Sequence, residues 1–376
     1  MATEPEQSGL SDVTARMDKA RSGLRRAGID ALLVTPGADL RYLTGYDAMP
    51  LERLTALVLP AEGEAHLVVP ALEEPAARAS SVSRLDIQIT SWQETQDPVA
   101  LVTTLLGDIT TVALDDHMWA QKVLAFRAAM PGARQVVAGP VLQDLRMRKS
   151  ATEVEALRRA GAAIDRVHAR MGQWLRVGRT EREVGRDIAD AIIAEGHERV
   201  DFVIVASGPH GASPHAEVSD RALEAGDTVV VDIGGTTAEG YCSDSTRTYS
   251  LGTPPAEVSD YYAVLLAAQV AACEHARPGA TAESVDAAAR DIIASAGYGE
   301  AFMHRTGHGI GLETHEEPYI VAGNRTTLEP GMTFSIEPGI YLSGRHGARI
   351  EDIVAITEHG CERLNLRPRE LAILPI

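Results

Sequence analysis

The chain has 376 residues, 45% of them hydrophobic and 23% charged, which is the composition of a soluble globular protein long enough for two domains. A formal net charge of −18 excludes nucleic acid as a partner, because a polyanion needs a basic face. Three scattered cysteines (Cys242, Cys273, Cys361), a start without a basic or apolar leader, and a longest apolar run (261–273) too short for a bilayer exclude a disulfide scaffold, a secretory signal and a membrane partner, so a cytoplasmic enzyme is expected.

Residues 1 to about 10 read as a loose tail. Val13, Met17, Ala20 and Leu24 then recur at helical spacing until Gly28. Strand-like runs follow at 31–34, 54–59, 66–69, 87–92, 111–114 and 135–138, with helix-like segments between several of them. This alternation predicts an α/β N-terminal domain over residues 11–147. The basic run from Arg146 to Ser150 is expected to be a solvated linker into a helix carrying Leu157, Ile164 and Val167.

The second domain, residues 148–376, is expected to be α+β with largely antiparallel sheet. Thr180 and Glu183 form a capping box opening a helix to about Glu195. Strands are predicted at 202–206, 228–233, 241–249, 333–337 and 348–356, and helices at 257–275 and 282–295.

The chemistry concentrates in M-H-R-T-G-H-G-I-G-L-E-T-H-E-E-P, Met303 to Pro318. His308 stands between Gly307 and Gly309, with Gly311 following. So many glycines imply a tight bend or a close approach, and an imidazole presented this way suits a metal. Alone, the stretch reads equally well as a surface turn. Its company decides the matter. The run Thr228–Asp232 carries one aspartate to the end of a β-forming segment, Asp244 lies in the next, and the glycines between predict a hairpin that sets the two carboxylates side by side. Alternation points Glu337 and Ser335 one way and Phe334 and Ile336 the other, and puts Arg349 and Glu351 on one face. Acids in apolar strands are not left unpaired, so four carboxylates and one imidazole ask for a shared cation site. Four negative charges match two divalent ions, and oxygen-rich ligation favours manganese, with cobalt, iron or zinc as alternatives.

The ordered set V-D-I-G-G, S-D-S-T-R-T, G-H-G-I-G-L-E-T-H-E, S-I-E-P-G-I-Y and R-I-E-D resembles the proline-specific pita-bread metallopeptidases, aminopeptidase P and prolidase. The resemblance implies a creatinase-like N-terminal domain, to which D-L-R-Y-L-T-G from Asp39 also points, and a pita-bread catalytic domain. It implies Asp232, Asp244, His308, Glu337 and Glu351 as ligands, with Asp244 and Glu351 bridging two metals. His215, His304 and His315 match substrate-site histidines, and Arg349 matches an arginine supporting the ligand shell. The segment between Asp232 and Asp244 is one residue longer than the usual pattern, a difference that a hairpin turn can absorb.

The expected reaction is hydrolysis of an Xaa-Pro bond by a hydroxide bridging the ions. Glu337 would be the general base, and His304 or His315 would stabilise the developing oxyanion. The expected substrate is a proline-containing dipeptide, or an oligopeptide if the enzyme is instead an Xaa-Pro aminopeptidase. The expected assembly is a homodimer with the first domain closing over the site. A metal-free creatinase-like hydrolase, a lyase and a binding module are the rival readings.

Overall fold

In the computed structural model, which describes residues 4–376, the chain forms two units that divide at the Arg146–Met147 bond. The first unit begins with a helix, Glu4–Ala27, so the expected tail is helical from residue 4; residues 1–3 lie outside the described part. Its strands are β1 (Ala31–Val34), β2 (Ala56–Pro60), β3 (Ala65–Pro70), β4 (Ile87–Trp92), β5 (Thr111–Leu114) and β6 (Arg134–Val137). They form one mixed sheet in the order β4-β3-β2-β1-β5-β6, with β1, β5 and β6 parallel to one another. The central strands β1 and β5 read Ala-Leu-Leu-Val and Thr-Val-Ala-Leu and are buried throughout, as strands covered on both faces must be. One face packs Leu33, Val58, Val68 and Val112 against Val102 and Phe126 from the helices Pro98–Leu106 and Ala120–Ala129.

The second unit holds two sheets, each backed by a pair of helices. The first sheet contains β7 (His197–Ser207), β8 (Thr228–Thr237) and β9 (Cys242–Leu251). The second is built on β10 (Gly307–Gly309), β11 (Glu316–Ile320) and β12 (Thr333–Ile336). Next comes a two-stranded ribbon of β13 (Gly339–Leu342) and β14 (His346–Arg349). The remaining strands are β15 (Asp352–Thr357), β16 (Gly360–Arg363) and β17 (Ala372–Leu374). The sheet orders are β17-β9-β8-β7 and β11-β10-β12-β15-β16.

Alternation decides what each face does. Val229, Val231, Ile233 and Tyr249 pack against Ile164 of helix Ala151–His168 and Val184 and Ile188 of helix Glu181–Ala194. Phe334, Ile336, Val354 and Ile356 pack against residues of helices Ala256–His275 and Ala282–Ser295, such as Leu265 and Ile293. The intervening residues, Asp232 on β8, Asp244 and Thr246 on β9, and Ser335 on β12, are thereby turned to the opposite face.

Two expectations need correction. The strand predicted over 348–356 is two strands, because β14 pairs with β13 while β15 pairs with β12, and the chain changes sheet at Ile350–Glu351. The basic run is anchored rather than solvated. Arg146 pairs with Asp39 at 2.8 Å inside the first unit, Arg148 pairs with Glu329 at 2.7 Å, and the Lys149 ammonium is buried 2.5 Å from Glu316. Among the described residues no helix is long and apolar enough to cross a membrane.

His168 ties the backing helix to β9. Its Nε2–H donates to the Ser245 carbonyl at 3.1 Å, and Nδ1 lies 2.9 Å from the Tyr249 hydroxyl. Burial pushes its pKa down to about 3, so the folded state holds it neutral. A base whose pKa is depressed on folding contributes stability that is fully present above its unfolded pKa, near 6.5, and is lost as pH falls toward 3. Below pH 6.5 this one site should cost about 1 kcal/mol of stability per pH unit. His168→Gln should flatten that slope in denaturant titrations between pH 7 and 4; an unchanged slope would refute the assignment.

Candidate metal centre

β8 and β9 pair without a register break, Gly234 opposite Asp244 and Asp232 opposite Thr246. The two aspartates are therefore diagonal neighbours on one face rather than directly opposed, and their strands are joined by the Thr237–Tyr241 turn, where Gly240 has φ 92°. Thr246, two residues beyond Asp244 on the same face, donates from Oγ1 to Glu351 Oε2 at 2.8 Å. Arg247 donates to the Glu351 carbonyl at 2.5 Å and pairs with buried Asp352, holding the backbone at the point where the chain changes sheet.

His308 sits in the middle of β10, between β11 and β12. A Cβ on Gly307 would lie 1.8 Å from the Ser335 carbonyl oxygen, and one on Gly309 would lie 2.2 Å from that of Glu317, so only glycine lets the strands close around the histidine. His308 Nδ1–H donates to the Gly309 carbonyl at 3.1 Å, leaving the Nε2 lone pair aimed inward, as a metal-ligating imidazole is usually held. That nitrogen lies 3.2 Å from Glu337 Oε1 and 3.6 Å from Asp244 Oδ2.

All the residues singled out from the sequence line one cavity of about 610 Å³: Asp232, Asp244, His308, Glu337, Glu351, Arg349, His304, His315 and His215. Phe202, Ile204, Pro214 and Arg305 complete its wall. Donor atoms of Asp244, His308 and Glu351 all lie within 4.8 Å of one another. Asp244 and Glu351 are almost fully buried, and burial, followed by the charges of the neighbouring carboxylates, pushes both far above the ordinary carboxylate range. Burial also opposes ionisation of Glu337, but the groups that face it, His308, His304 and Arg349, prevail and pull it down to about 2. Asp232 Oδ1 is buried without a partner. Crowded acids, an inward imidazole lone pair and an orphaned carboxylate oxygen fit a divalent cation centre.

A second layer holds these groups. Arg349, nearly inaccessible to solvent, donates to Asp232 Oδ2 at 2.5 Å, to Thr246 Oγ1 at 3.1 Å and to the Tyr341 hydroxyl at 2.7 Å. Tyr341 lies 2.8 Å from His304 Nε2, while His304 Nδ1–H donates to the Arg305 carbonyl at 2.7 Å. The hydroxyl thus accepts from Arg349 and donates to His304, so both nitrogens of that ring are engaged. His315 is exposed toward the cavity, its ring edge-on to His308 with centroids 4.1 Å apart, and the adjacent Glu316 is fixed by Lys149. His215 follows the 3₁₀ turn Gly208–Ala212 and is exposed at the rim. Sequence reasoning missed Tyr341, Thr246, Arg247 and Lys149; of these only Thr246 carried a signal, its two-residue spacing from Asp244.

Two helix-backed sheets that close on a cluster of acids and one imidazole define a metal-dependent hydrolase of the pita-bread type. Residues 155–358 match the metallopeptidase family M24, and residues 16–148 match the creatinase/prolidase N-terminal domain. The chain belongs to metallopeptidase family M24 and is an enzyme of the class that works on peptides with divalent metal ions. It is 55% identical over 362 residues to the probable dipeptidase PepE of Mycobacterium tuberculosis, covering 96% of each chain. It is 35% identical over 372 residues to the Xaa-Pro dipeptidase of Lactobacillus helveticus, covering 96% of this chain and 99% of that one. The crystal structure of dipeptidase PepE from Mycobacterium ulcerans superimposes with a TM-score of 0.94 at 54% identity, over 98% of this chain and 99% of that chain.

Proposed function

We propose that this metallopeptidase is an Xaa-Pro dipeptidase holding two divalent ions, manganese before cobalt, iron or zinc. The residues that would hold them are Asp232, Asp244, His308, Glu337 and Glu351. The observation that carries this reading is the convergence of the Asp244, His308 and Glu351 donor atoms beside an unpartnered Asp232 oxygen. Four carboxylates against the single guanidinium of Arg349 leave three negative charges, more than one divalent ion cancels. A homodimer in the cytoplasm belongs to the same proposal and rests on the family resemblance.

When bound, such an ion pair lowers the pKa of water toward neutrality and polarises a carbonyl. The protein's own groups do the rest. Glu337 Oε1 accepts from the Ser335 hydroxyl and faces His308, which makes it the oxygen for the metal, and the other oxygen is left to take the proton from the attacking water and pass it to the leaving nitrogen. His315 lines the cavity with its ring edge-on to His308, and donates to the oxyanion. His304 acts through Tyr341 and Arg349, keeping Asp232 in place. An Xaa-Pro bond offers no amide N–H, so the site must grip the ring itself. Phe202, Ile204 and Pro214 supply an apolar wall for it, and His215 closes the rim.

The test is hydrolysis of Ala-Pro, Ala-Ala and Ala-Pro-Gly by manganese-loaded enzyme. Ala-Pro should be cleaved fastest, and chelation should abolish the activity. Equal rates on Ala-Ala would refute proline selectivity, and faster cleavage of Ala-Pro-Gly would assign an aminopeptidase instead.

A further inference from the structure

The cavity contains two arginines with opposite commitments. Arg349 is buried and saturated by Asp232, Tyr341 and Thr246. Arg305 lines the same cavity half-buried, and among the described residues no carboxylate lies within ion-pair distance of its guanidinium and no hydrogen bond leaves it. It is stacked instead on Tyr319, the guanidinium carbon 4.4 Å from the ring centroid. The stack is fixed from the backbone, because Thr306 N donates to the Ile320 carbonyl at 2.9 Å and Gly307 pairs with Ile320 across β10 and β11. The aromatic face restrains the side chain without neutralising its charge, leaving the planar edge and its N–H donors for another partner.

That partner must be an anion, and the cavity's own acids are drawn together around His308. A dipeptide has an ammonium at one end and a carboxylate at the other. If the dipeptidase reading holds, the ammonium and the scissile carbonyl lie at the acidic end of the cavity, and the carboxylate falls one residue beyond the scissile bond. In a longer peptide a neutral amide occupies that place. A neutral histidine can give a carboxylate one N–H without offsetting its charge, whereas a guanidinium is charged at every working pH and matches a carboxylate with two parallel hydrogen bonds. We propose that Arg305, held by Tyr319, binds the C-terminal carboxylate of the substrate and is the residue that makes this enzyme select dipeptides over longer chains. This inference rests on the dipeptidase reading and names the side chain behind it. It also gives Tyr319 a task in substrate selection, since a guanidinium without its stack would have to be ordered by each incoming substrate.

The experiment is steady-state kinetics of full-length, manganese-loaded enzyme on Ala-Pro, Ala-Pro amide and Ala-Pro-Gly, for wild type, Arg305→Gln, Arg305→Lys and Tyr319→Leu. Wild type should favour the free acid over the amide by about 10- to 100-fold in kcat/KM, the scale of a hydrogen-bonded charge pair. Arg305→Gln should bring that ratio close to one, mainly by raising KM for the acid. Arg305→Lys should restore part of it by keeping the charge, and Tyr319→Leu should give an intermediate ratio. If wild type selects the acid but Arg305→Gln and Arg305→Lys both keep the full ratio, the proposal is overturned and the dipeptidase reading stands. If wild type treats acid, amide and tripeptide alike, the dipeptidase reading itself fails and the role of Arg305 falls with it.

Discussion

Asp244→Ala and His308→Ala should each lower hydrolysis by about three orders of magnitude, the scale on which a lost electrostatic stabiliser of the transition state is felt, and both should lose bound metal. Asp244 is the centre of the crowding. It lies 3.6 Å from His308 Nε2, and its carboxyl is pushed up by burial and by Glu351, Asp232 and Glu337. Removing it takes away a proposed ligand and, in the metal-free protein, also removes a source of repulsion. The metal-free Asp244→Ala protein should therefore melt no lower than metal-free wild type, yet gain little when manganese is added, whereas wild type gains as bound ligand stabilises the folded state. Metal content by atomic emission and melting temperature with and without manganese separate this outcome from misfolding. A variant that keeps both metal and activity would remove Asp244 from the ligand set.

What could be read from the sequence was whatever period-two alternation encodes. Asp232 and Glu337 end runs whose apolar partners face the helices, so the face each acid takes follows from Val229, Val231, Phe334 and Ile336. Alternation also placed Arg349 and Glu351 together, but it persists unbroken where the chain leaves one sheet for another, so the break at Ile350–Glu351 left no local mark. β10 was hidden for a different reason. Gly-His-Gly has no strand propensity, and those residues are extended because β11 and β12 flank them. Tyr341 reads as one more apolar position in Gly-Ile-Tyr-Leu, and its role appears only through His304, 37 residues upstream, and Arg349. The basic run at 146–149 was misread because composition reports charge and not the distant acid that meets it.

His315→Ala should keep its metal and lose about 10²- to 10³-fold in kcat, with a smaller change in KM, as expected when a donor to the developing oxyanion is removed. The three histidines of the Met303–Pro318 stretch are not equivalent. His308 commits Nδ1 to Gly309 and turns Nε2 to the acids. His304 commits one nitrogen to the Arg305 carbonyl and the other to Tyr341. His315 alone of the three has, among the described residues, no hydrogen bond to the protein, and its ring stands edge-on to His308 at the cavity face. An imidazole without a protein partner is free to meet charge that exists only in the transition state, so its loss should register in kcat. Lys149 and Glu316 hold the strand beside it whether or not the ring is present, so the alanine variant should fold normally. His315→Gln, which keeps an N–H near the same place, should recover part of the rate. If His315→Ala turns over at the wild-type rate, or loses its metal along with its activity, the ring is not the oxyanion donor, and the task passes to His215 at the rim.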